Sequence, residues 1–129
     1  MIEELKDRWI LGLRGTPVAT VFRTSEGNEL RMLLAGGTEL KINGAMRLTY
    51  GAATSPQSVP LTAEELDGLV GATIASAVAF KSGSLRVVFG TGHHLNVPGG
   101  EHKAAAHIRK PGDFDWSGKD GVGTMEALW

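Results

Sequence analysis

GTPVATVFRTSEGNELRMLLAGGTELKIN at residues 15–43 recurs in altered form as GATIASAVAFKSGSLRVVFGTGHHLNVP at residues 71–98. The two stretches align at an offset of 56 up to the first turn and, after the loss of one residue there, at an offset of 55. The matched pairs include Gly15 with Gly71, Val18 with Ile74, Leu30 with Leu85, Met32 with Val87, Leu34 with Phe89, and Leu40 with Leu95. Apolar residues at a spacing of two, with glycines in the turns, are typical of a β-meander. The repeat therefore predicts architecture and carries no information on chemistry.

The duplication and the length of 129 residues predict one domain over residues 1–129. A single meander cannot bury its apolar face alone, so the two copies are expected to pack or pair around a pseudo-twofold axis. The predicted fold class is α+β, mainly antiparallel β. It consists of two pseudosymmetric β-meanders, in a sandwich or a partly open barrel, joined by one short helix. An edge strand left over would offer a docking site for another protein or, in a homodimer, for a second copy of this chain.

The connecting helix is predicted over residues 62–70, within LTAEELDGLVG. Thr62 and Glu65 have the spacing of a capping box, and Leu61 and Leu66 that of a hydrophobic staple. Gly71 is expected to follow the helix as its terminating glycine. A second short helix is predicted at residues 3–13, on the spacing of Leu5 and Trp9.

Beyond Pro98 the pattern is weaker. Residues 101–110 fit either a strand or a frayed helix, and both alternatives stay open. PGDFDWSGKDGVG at 111–123 has the composition of a loop, and TMEALW at 124–129 could form one last strand.

Composition argues against several classes of function. Thirteen basic and fourteen acidic side chains give a net charge of −1, which argues against nucleic acid as the partner. There is no cysteine, hence no disulfide and no cysteine zinc site. The start, MIEELKD, carries acid where a signal peptide carries base, and no apolar run has the length of a membrane span. We therefore expect a cytoplasmic protein without a membrane partner.

The four histidines, His93, His94, His102 and His107, lie within fifteen residues of one another. Neighbours on a strand point to opposite faces, and a spacing of five suits neither one helix face nor one strand face. The spacing rules for zinc ligands are not met, so no metal and no other cofactor is expected.

Asp113 and Asp115 flank Phe114 and could share one face of an extended segment. Acid–base catalysis would need them in a cleft with separated pKa values, and the surrounding residues are glycine-rich and polar. Turn or capping roles are the simpler explanation, and no catalytic set of serine, histidine and carboxylate stands out. The prediction is a protein that is not an enzyme, with a hydrolase using Asp113, Asp115 or the histidines as the third alternative.

Basic residues on the polar phases of the strands could form a stripe, although charges on a solvated outer face explain them equally well. They are Arg14, Arg23, Arg31, Lys41, Arg47 and Arg86. The three tryptophans, Trp9, Trp116 and Trp129, lie outside the duplicated stretches and could either cover the ends of the core or anchor an interface.

The chain resembles a family of small, uncharacterised bacterial proteins classified as a domain of unknown function. The likeness rests on G-x-x-V and L-x-M-x-L-x-x-G-x-x-L-x-I in 15–42, on L-x-G-x-x-I, G-x-L-x-V-x-F-x-x-G and L-x-V-P in 69–98, and on A-L-W at 127–129. The resemblance implies an immunity protein that acts beside a polymorphic toxin. After Pro98 the chain departs from the family's pattern, with EHKAAAH in place of an acidic–aromatic stretch. The resemblance therefore leaves room for a different partner at the C-terminal surface.

The predicted function is non-catalytic protein binding, in its specific form the blocking of a bacterial toxin by an immunity protein. The residues expected to contact the partner are Asp113, Asp115, Trp116 and Trp129, because all four lie outside the duplicated scaffold and the first three lie on a segment expected to be a loop. The alternative is a β-barrel that binds a small ligand or nucleic acid, for which the inner phase of the strands would have to leave a cavity.

Overall fold

The computed structural model of the chain describes residues 2–24, 29–51, 54–99 and 104–128. Thirteen strands and one short helix lie within these ranges. In chain order they are β1 (Glu3–Glu4), β2 (Arg8–Ile10), β3 (Val18–Arg23), β4 (Glu29–Leu34), β5 (Glu39–Gly44), β6 (Arg47–Tyr50), β7 (Gln57–Val59), α1 (Ala63–Asp67), β8 (Ile74–Phe80), β9 (Leu85–Phe89), β10 (His93–Val97), β11 (Ala104–Lys110), β12 (Phe114–Lys119) and β13 (Val122–Ala127).

These strands form two open antiparallel sheets. The seven-stranded sheet has the order β1-β2-β8-β9-β10-β6-β7, and the six-stranded sheet has the order β13-β12-β11-β5-β4-β3. Inward-facing side chains from both sheets join one hydrophobic cluster. The predicted class, mainly antiparallel α+β with two meanders, is confirmed, and the two sheets are open and do not close into a barrel. Among the described residues no helix is long and apolar enough to cross a membrane.

The two meanders, β3-β4-β5 and β8-β9-β10, are equivalent in detail. A bulge falls between Val18 and Thr20 where β3 pairs with β4, and a bulge falls at the matching place, between Ile74 and Ser76, where β8 pairs with β9. The matched apolar positions of the second strands are all at most 2% exposed: Leu30, Met32 and Leu34 in one copy, Leu85, Val87 and Phe89 in the other. The predicted equivalence of the copies is therefore confirmed.

The pseudo-twofold axis passes between Pro17 and Thr73, which occupy the same position in the repeat and form an isolated antiparallel bridge. Hydrogen bonds around the bridge come in matched pairs. The Val18 N–H donates to the Ala72 carbonyl at 2.8 Å, and the N–H of Ile74 donates to the carbonyl of Thr16 at 2.9 Å. A bridge between equivalent positions has the geometry that a twofold axis requires.

The strand that follows each meander pairs with the other copy. β6 follows β5 in the chain and pairs with β10, and β11 follows β10 and pairs with β5. Leu48 of β6 faces Leu95, and Ile108 of β11 faces Leu40, the residue that matches Leu95 in the repeat. Each sheet therefore contains strands from both halves of the chain.

The predicted helix over residues 3–13 is wrong. This segment forms β1 and β2 instead, and β2 pairs with β8 with Trp9 opposite Ala79. Trp9 is 9% exposed and belongs to the core. The open edge of β8 offers backbone hydrogen bonds to the segment, and this tertiary pairing outweighs the local helical spacing.

The connecting helix is confirmed at its start and is shorter than predicted at its end. The Thr62 hydroxyl accepts a hydrogen bond from the Glu65 N–H at 3.2 Å. The helix ends at Asp67, with Gly68 as its C-cap, so that Leu69 lies in the turn beyond it. Leu66 and Leu69 are both buried.

Residues 104–127 are strand for most of their length. Residues 104–110 form β11, which settles the choice between strand and frayed helix. The expected loop over 111–123 is wrong, because β12 and the start of β13 occupy most of it. The last strand predicted from TMEALW is confirmed for the part that belongs to β13.

Candidate interaction surface

The β12–β13 hairpin carries three of the four residues expected to contact a partner. Along β12 the side chains alternate, with Phe114 and Trp116 fully buried and the Asp115 side chain on the outer face at 24% exposure. Asp113 precedes the strand and pairs with Lys110, Nζ to Oδ2, at 3.4 Å. The hairpin therefore separates its carboxylates from its aromatic rings by strand alternation.

The expectation that Trp116 is an exposed contact residue is wrong, because its side chain is 0% exposed. Its indole lies beneath Gly118 and Gly123, which face each other across the hairpin. Its Nε1 has no hydrogen-bond partner among the described residues. Trp116 thus belongs to the core, and Trp129 lies outside the described residues.

Asp115 interacts with His107 on the neighbouring strand. The Nε2 atom of His107 lies 2.7 Å from Oδ1 of Asp115. Arg109, in register with Asp115, continues the polar row towards Glu39. Neutral histidine donates one hydrogen bond to such a carboxylate, and protonated histidine adds an ion pair.

This pair belongs to a larger set of outward charged side chains on the six-stranded sheet, which we call the charged face. Its members are Glu29, Arg31, Glu39, Lys41, His107, Arg109, Asp115, Lys119 and Glu126. Arg31 pairs with Glu29 at 3.1 Å, and Lys41 pairs with Glu39 at 3.4 Å. Because the side chains stand on paired strands, their spacing is fixed by the sheet.

One end of the charged face is apolar. Phe22 is 51% exposed and Leu33 is 40% exposed. They lie on adjacent strands, β3 and β4, and line a shallow depression together with Thr20 and Arg31. β3 is also an edge strand of its sheet. Large exposed apolar side chains beside charged ones are common features of protein interfaces.

The sequence predicted one carboxylate of this surface, Asp115, and missed the other three. Arg31 and Lys41 were recognised as outward-facing, but their acidic partners at Glu29 and Glu39 were not. The alternation of Glu39 and Lys41 with buried Leu40 and Ile42 could have indicated one charged face. The pairing of Asp115 with His107 could not be anticipated, because it depends on the register between β11 and β12.

The histidines are distributed over both sheets. His93 and His94 lie on β10 of the seven-stranded sheet, whereas His107 lies on β11 of the other sheet. The His93 ring packs against Tyr50 at a tilt, with ring centroids 4.9 Å apart, and its Nδ1 lies 2.7 Å from the Thr91 hydroxyl. His102 lies outside the described residues. Across the described ranges, no three residues of the types His, Cys, Asp and Glu are grouped so as to hold a metal ion.

A second depression lies between the outer edges of the two sheets, β1 and β13. It is lined by Ile2, Glu4, Trp9, Met125 and Ala127. The Lys81 ammonium lies 5.2 Å from the Trp9 ring centroid and 2.7 Å from a Glu4 carboxylate oxygen. The hydrogen bond from Lys81 lowers the pKa of the Glu4 carboxyl below its ordinary value. Glu4 is exposed, so this contact covers the edge of the core without burying charge.

The model of a family of unknown function (DUF6188) matches residues 9–114. The chain belongs to this family. The match includes both meanders, the connecting helix and β11, and it ends at the first residue of β12. No curated protein and no solved structure gives a match. The predicted resemblance to an uncharacterised family is thus confirmed at the level of the family.

In this DUF6188 chain the matched range and the charged face overlap in part. Glu39, Lys41 and His107 lie inside the match, whereas Asp115 and Glu126 follow it. The hairpin therefore adds carboxylates to a sheet whose other strands lie within the family match.

Proposed function

We propose that the protein is a non-catalytic binding protein that uses the charged face and its apolar end to hold a protein partner. The observation that carries the proposal is the position of Phe22 and Leu33, two exposed large apolar side chains on adjacent strands beside a ladder of fixed ion pairs. Such a surface supplies an apolar anchor and a polar surround on a rigid sheet.

The partner's contact surface is expected to be basic where it meets the hairpin end of the face. Along one row of paired residues, Arg109 is flanked by carboxylates at Glu39, Asp115 and Glu126. Because Glu39 is also paired with Lys41, Asp115 and Glu126 exceed the Arg109 guanidinium by one negative charge in this row. Opposite charges on the two surfaces speed the encounter and fix its register.

In its specific form, the proposal is that the partner is a bacterial toxin and the chain its immunity protein. This form rests on the family resemblance, and the acidic row supports it by favouring one partner of complementary charge. The alternative of a barrel with an interior ligand is less favoured, because the sheets are open and their inner side chains fill a common core. The depression at Phe22 and Leu33 lies on an outer face, and the one at Trp9 and Met125 lies at the edges of the sheets.

The test is co-purification from the native cell, followed by calorimetry with the recovered protein. Phe22→Lys combined with Leu33→Lys is expected to abolish binding, because each lysine replaces an apolar anchor by a charge. Val70→Lys is the matched control, since Val70 is 46% exposed and lies outside both sheets. Both proteins must keep the melting temperature of the wild type.

The outcomes separate the alternatives. Binding that survives the double substitution would contradict the assignment of this surface. If a dimer of the chain itself is recovered and the same substitutions dissociate it, the surface is a homodimer interface and does not bind a foreign protein. Recovery of RNA or a small molecule in place of a protein would favour the alternative function, which is the binding of a small ligand or nucleic acid.

A further inference from the structure

The outer face of the seven-stranded sheet carries two arginines on either side of one asparagine. Arg47 of β6 is in register with Asn96 of β10, and Asn96 is in register with Arg86 of β9. Adjacent strands are about 4.8 Å apart, so the two arginine Cα atoms lie about 10 Å from each other. His94 and Thr49 form the neighbouring row on the same face.

These residues line one depression, to which both arginines, Thr49, His94, Asn96 and Pro56 contribute. One terminal nitrogen of Arg47 donates to the Ser58 hydroxyl of β7 at 3.1 Å, on the side of β6 away from β10, so the other N–H groups of this guanidinium are its donors for a ligand. Within the described part of the chain no carboxylate lines the depression. The site therefore combines several hydrogen-bond donors with uncompensated positive charge.

The charged face is the pseudosymmetric equivalent of this face, and it carries carboxylates at positions where this face has none. Arg86 matches Arg31 in the repeat, and Arg31 is paired with Glu29. The position of Glu29 is occupied in the second copy by Ser84, and that of Glu39 by His94. The carboxylates that pair with Arg31 and Lys41 are thus absent from the equivalent positions here, and Asn96 occupies the position of Lys41. On the charged face Arg31 and Lys41 are paired with carboxylates, whereas the described residues that line this depression include two arginines and no carboxylate.

We propose that this depression binds a phosphate group, either as inorganic phosphate or as part of a small phosphate monoester. A phosphate offers oxygens on all sides, so guanidinium groups on opposite sides of it can donate at the same time. Asn96 and His94 supply neutral or charged donors from the floor between them. The acceptor sites of a carboxylate lie in one plane, so it matches donors on opposite sides of the depression less well than a tetrahedral phosphate does. The proposal is independent of the protein-binding function, because the site lies on the other sheet.

The experiment is a titration of the ¹⁵N-labelled protein with sodium phosphate, compared with sodium chloride at equal ionic strength. A saturable shift is expected for amides around residues 47–49, 86–88 and 94–96 with phosphate and not with chloride. A parallel titration with ribose 5-phosphate distinguishes the source of the group. Tighter binding of the monoester would identify a phosphorylated metabolite, and tighter binding of the inorganic ion would identify free phosphate.

Three substitutions make the test specific. Arg86→Gln should weaken phosphate binding roughly tenfold, because it removes one charge-assisted donor pair. His94→Glu should abolish binding by restoring the carboxylate of the other copy. Arg31→Gln, the equivalent change on the charged face, should leave the phosphate affinity unchanged. If His94→Glu lowers the melting temperature, Arg47→Gln takes its place.

Some results would overturn the proposal. They are a lack of saturable binding with both phosphate compounds, equal shifts with chloride, and an equal loss of affinity in Arg31→Gln. Binding to an oligonucleotide without binding to either small phosphate would also overturn it, since the site would then require an extended strand.

Discussion

Gly118 and Gly123 allow the β12–β13 hairpin to lie directly against the turn between β8 and β9. A Cβ atom on Gly118 would overlap the carbonyl oxygen of Gly83, and one on Gly123 would overlap that of Phe80. The contact is closed by a hydrogen bond of 2.8 Å from the Gly123 N–H to the Lys81 carbonyl. At this position two backbones from different sheets touch, so the absence of a side chain is the structural requirement.

Gly118→Ala is therefore expected to destabilise the protein by about 1–3 kcal/mol, as overpacking of a close contact does. Thermal or denaturant unfolding measures the loss. Ser117→Ala is the control, because Ser117 is the preceding residue on the opposite face of the same strand. A Gly118→Ala protein as stable as the Ser117→Ala protein would show that the two backbones can separate at no cost.

Trp116 and Asp115 illustrate which residue-level inferences the sequence supports. DFDWSGK alternates aromatic and polar residues, a pattern typical of a strand with one buried face. The neighbouring Pro-Gly and Asp-Gly pairs favoured a loop instead, and as a result Trp116 was predicted to be exposed. The outward position of Asp115 follows from the alternation alone, whereas its partner His107 follows only from the three-dimensional register.

At the level of elements, one position of the repeat is filled by a strand in the first copy and by a helix in the second. Subtracting the offset of 56 places α1 at residues 7–11, where β2 lies. β2 pairs with β8, whereas α1 packs against β3, the equivalent strand. Leu13 and Leu69, which follow at matched positions, are both 1% exposed. The two elements thus cover equivalent regions of the core by different means.

The capping box explains why only the second copy is helical here. Thr62 provides an N-cap oxygen, whereas the matched residue of the first copy is Lys6, which has no acceptor in its side chain. The helix over 62–70 could therefore be predicted from the sequence. The strand over 8–10 could not, because its hydrogen bonds come from β8, which is distant in the chain.

Thr62→Ala should lower the free energy of unfolding by about 1 kcal/mol, the usual cost of losing an N-cap side chain. Thr62→Ser keeps the hydroxyl and should restore most of the stability. Chemical denaturation of the three proteins provides the comparison. Equal stability of the alanine and serine variants would mean that the cap does not stabilise this short helix.

At the level of the whole molecule, the duplication supplies a scaffold and the outer side chains make its two faces different. The inner positions of both copies are apolar and buried, as the alternation in the sequence predicts. The outer positions differ in charge, with carboxylates at Glu29 and Glu39 in one copy and Ser84 and His94 in the other. Folding constrains the inner set, so the outer set is free to specialise in binding.

The exchange of β6 and β11 between the sheets makes each half of the chain dependent on the other. In a fragment of residues 1–60, β6 would lack β10, and in a fragment of residues 61–129, β11 would lack β5. In the first fragment β2 would also lack β8. Isolated hairpins and meanders with one uncovered apolar face are marginally stable in water.

Each fragment alone is therefore expected to show no cooperative unfolding, and an equimolar mixture of the two should recover the circular dichroism and the melting transition of the intact chain. Size-exclusion chromatography should show a one-to-one complex.

Replacing Leu48 by lysine in the first fragment should prevent reassembly, because Leu48 is 1% exposed and faces Leu95 across the exchanged strands. Arg47→Lys, next to it on the outer face, is the matched control and should reassemble. Cooperative unfolding of either fragment by itself would show that a meander is stable without the exchanged strand, and the exchange would then be a consequence of folding and not a condition for it.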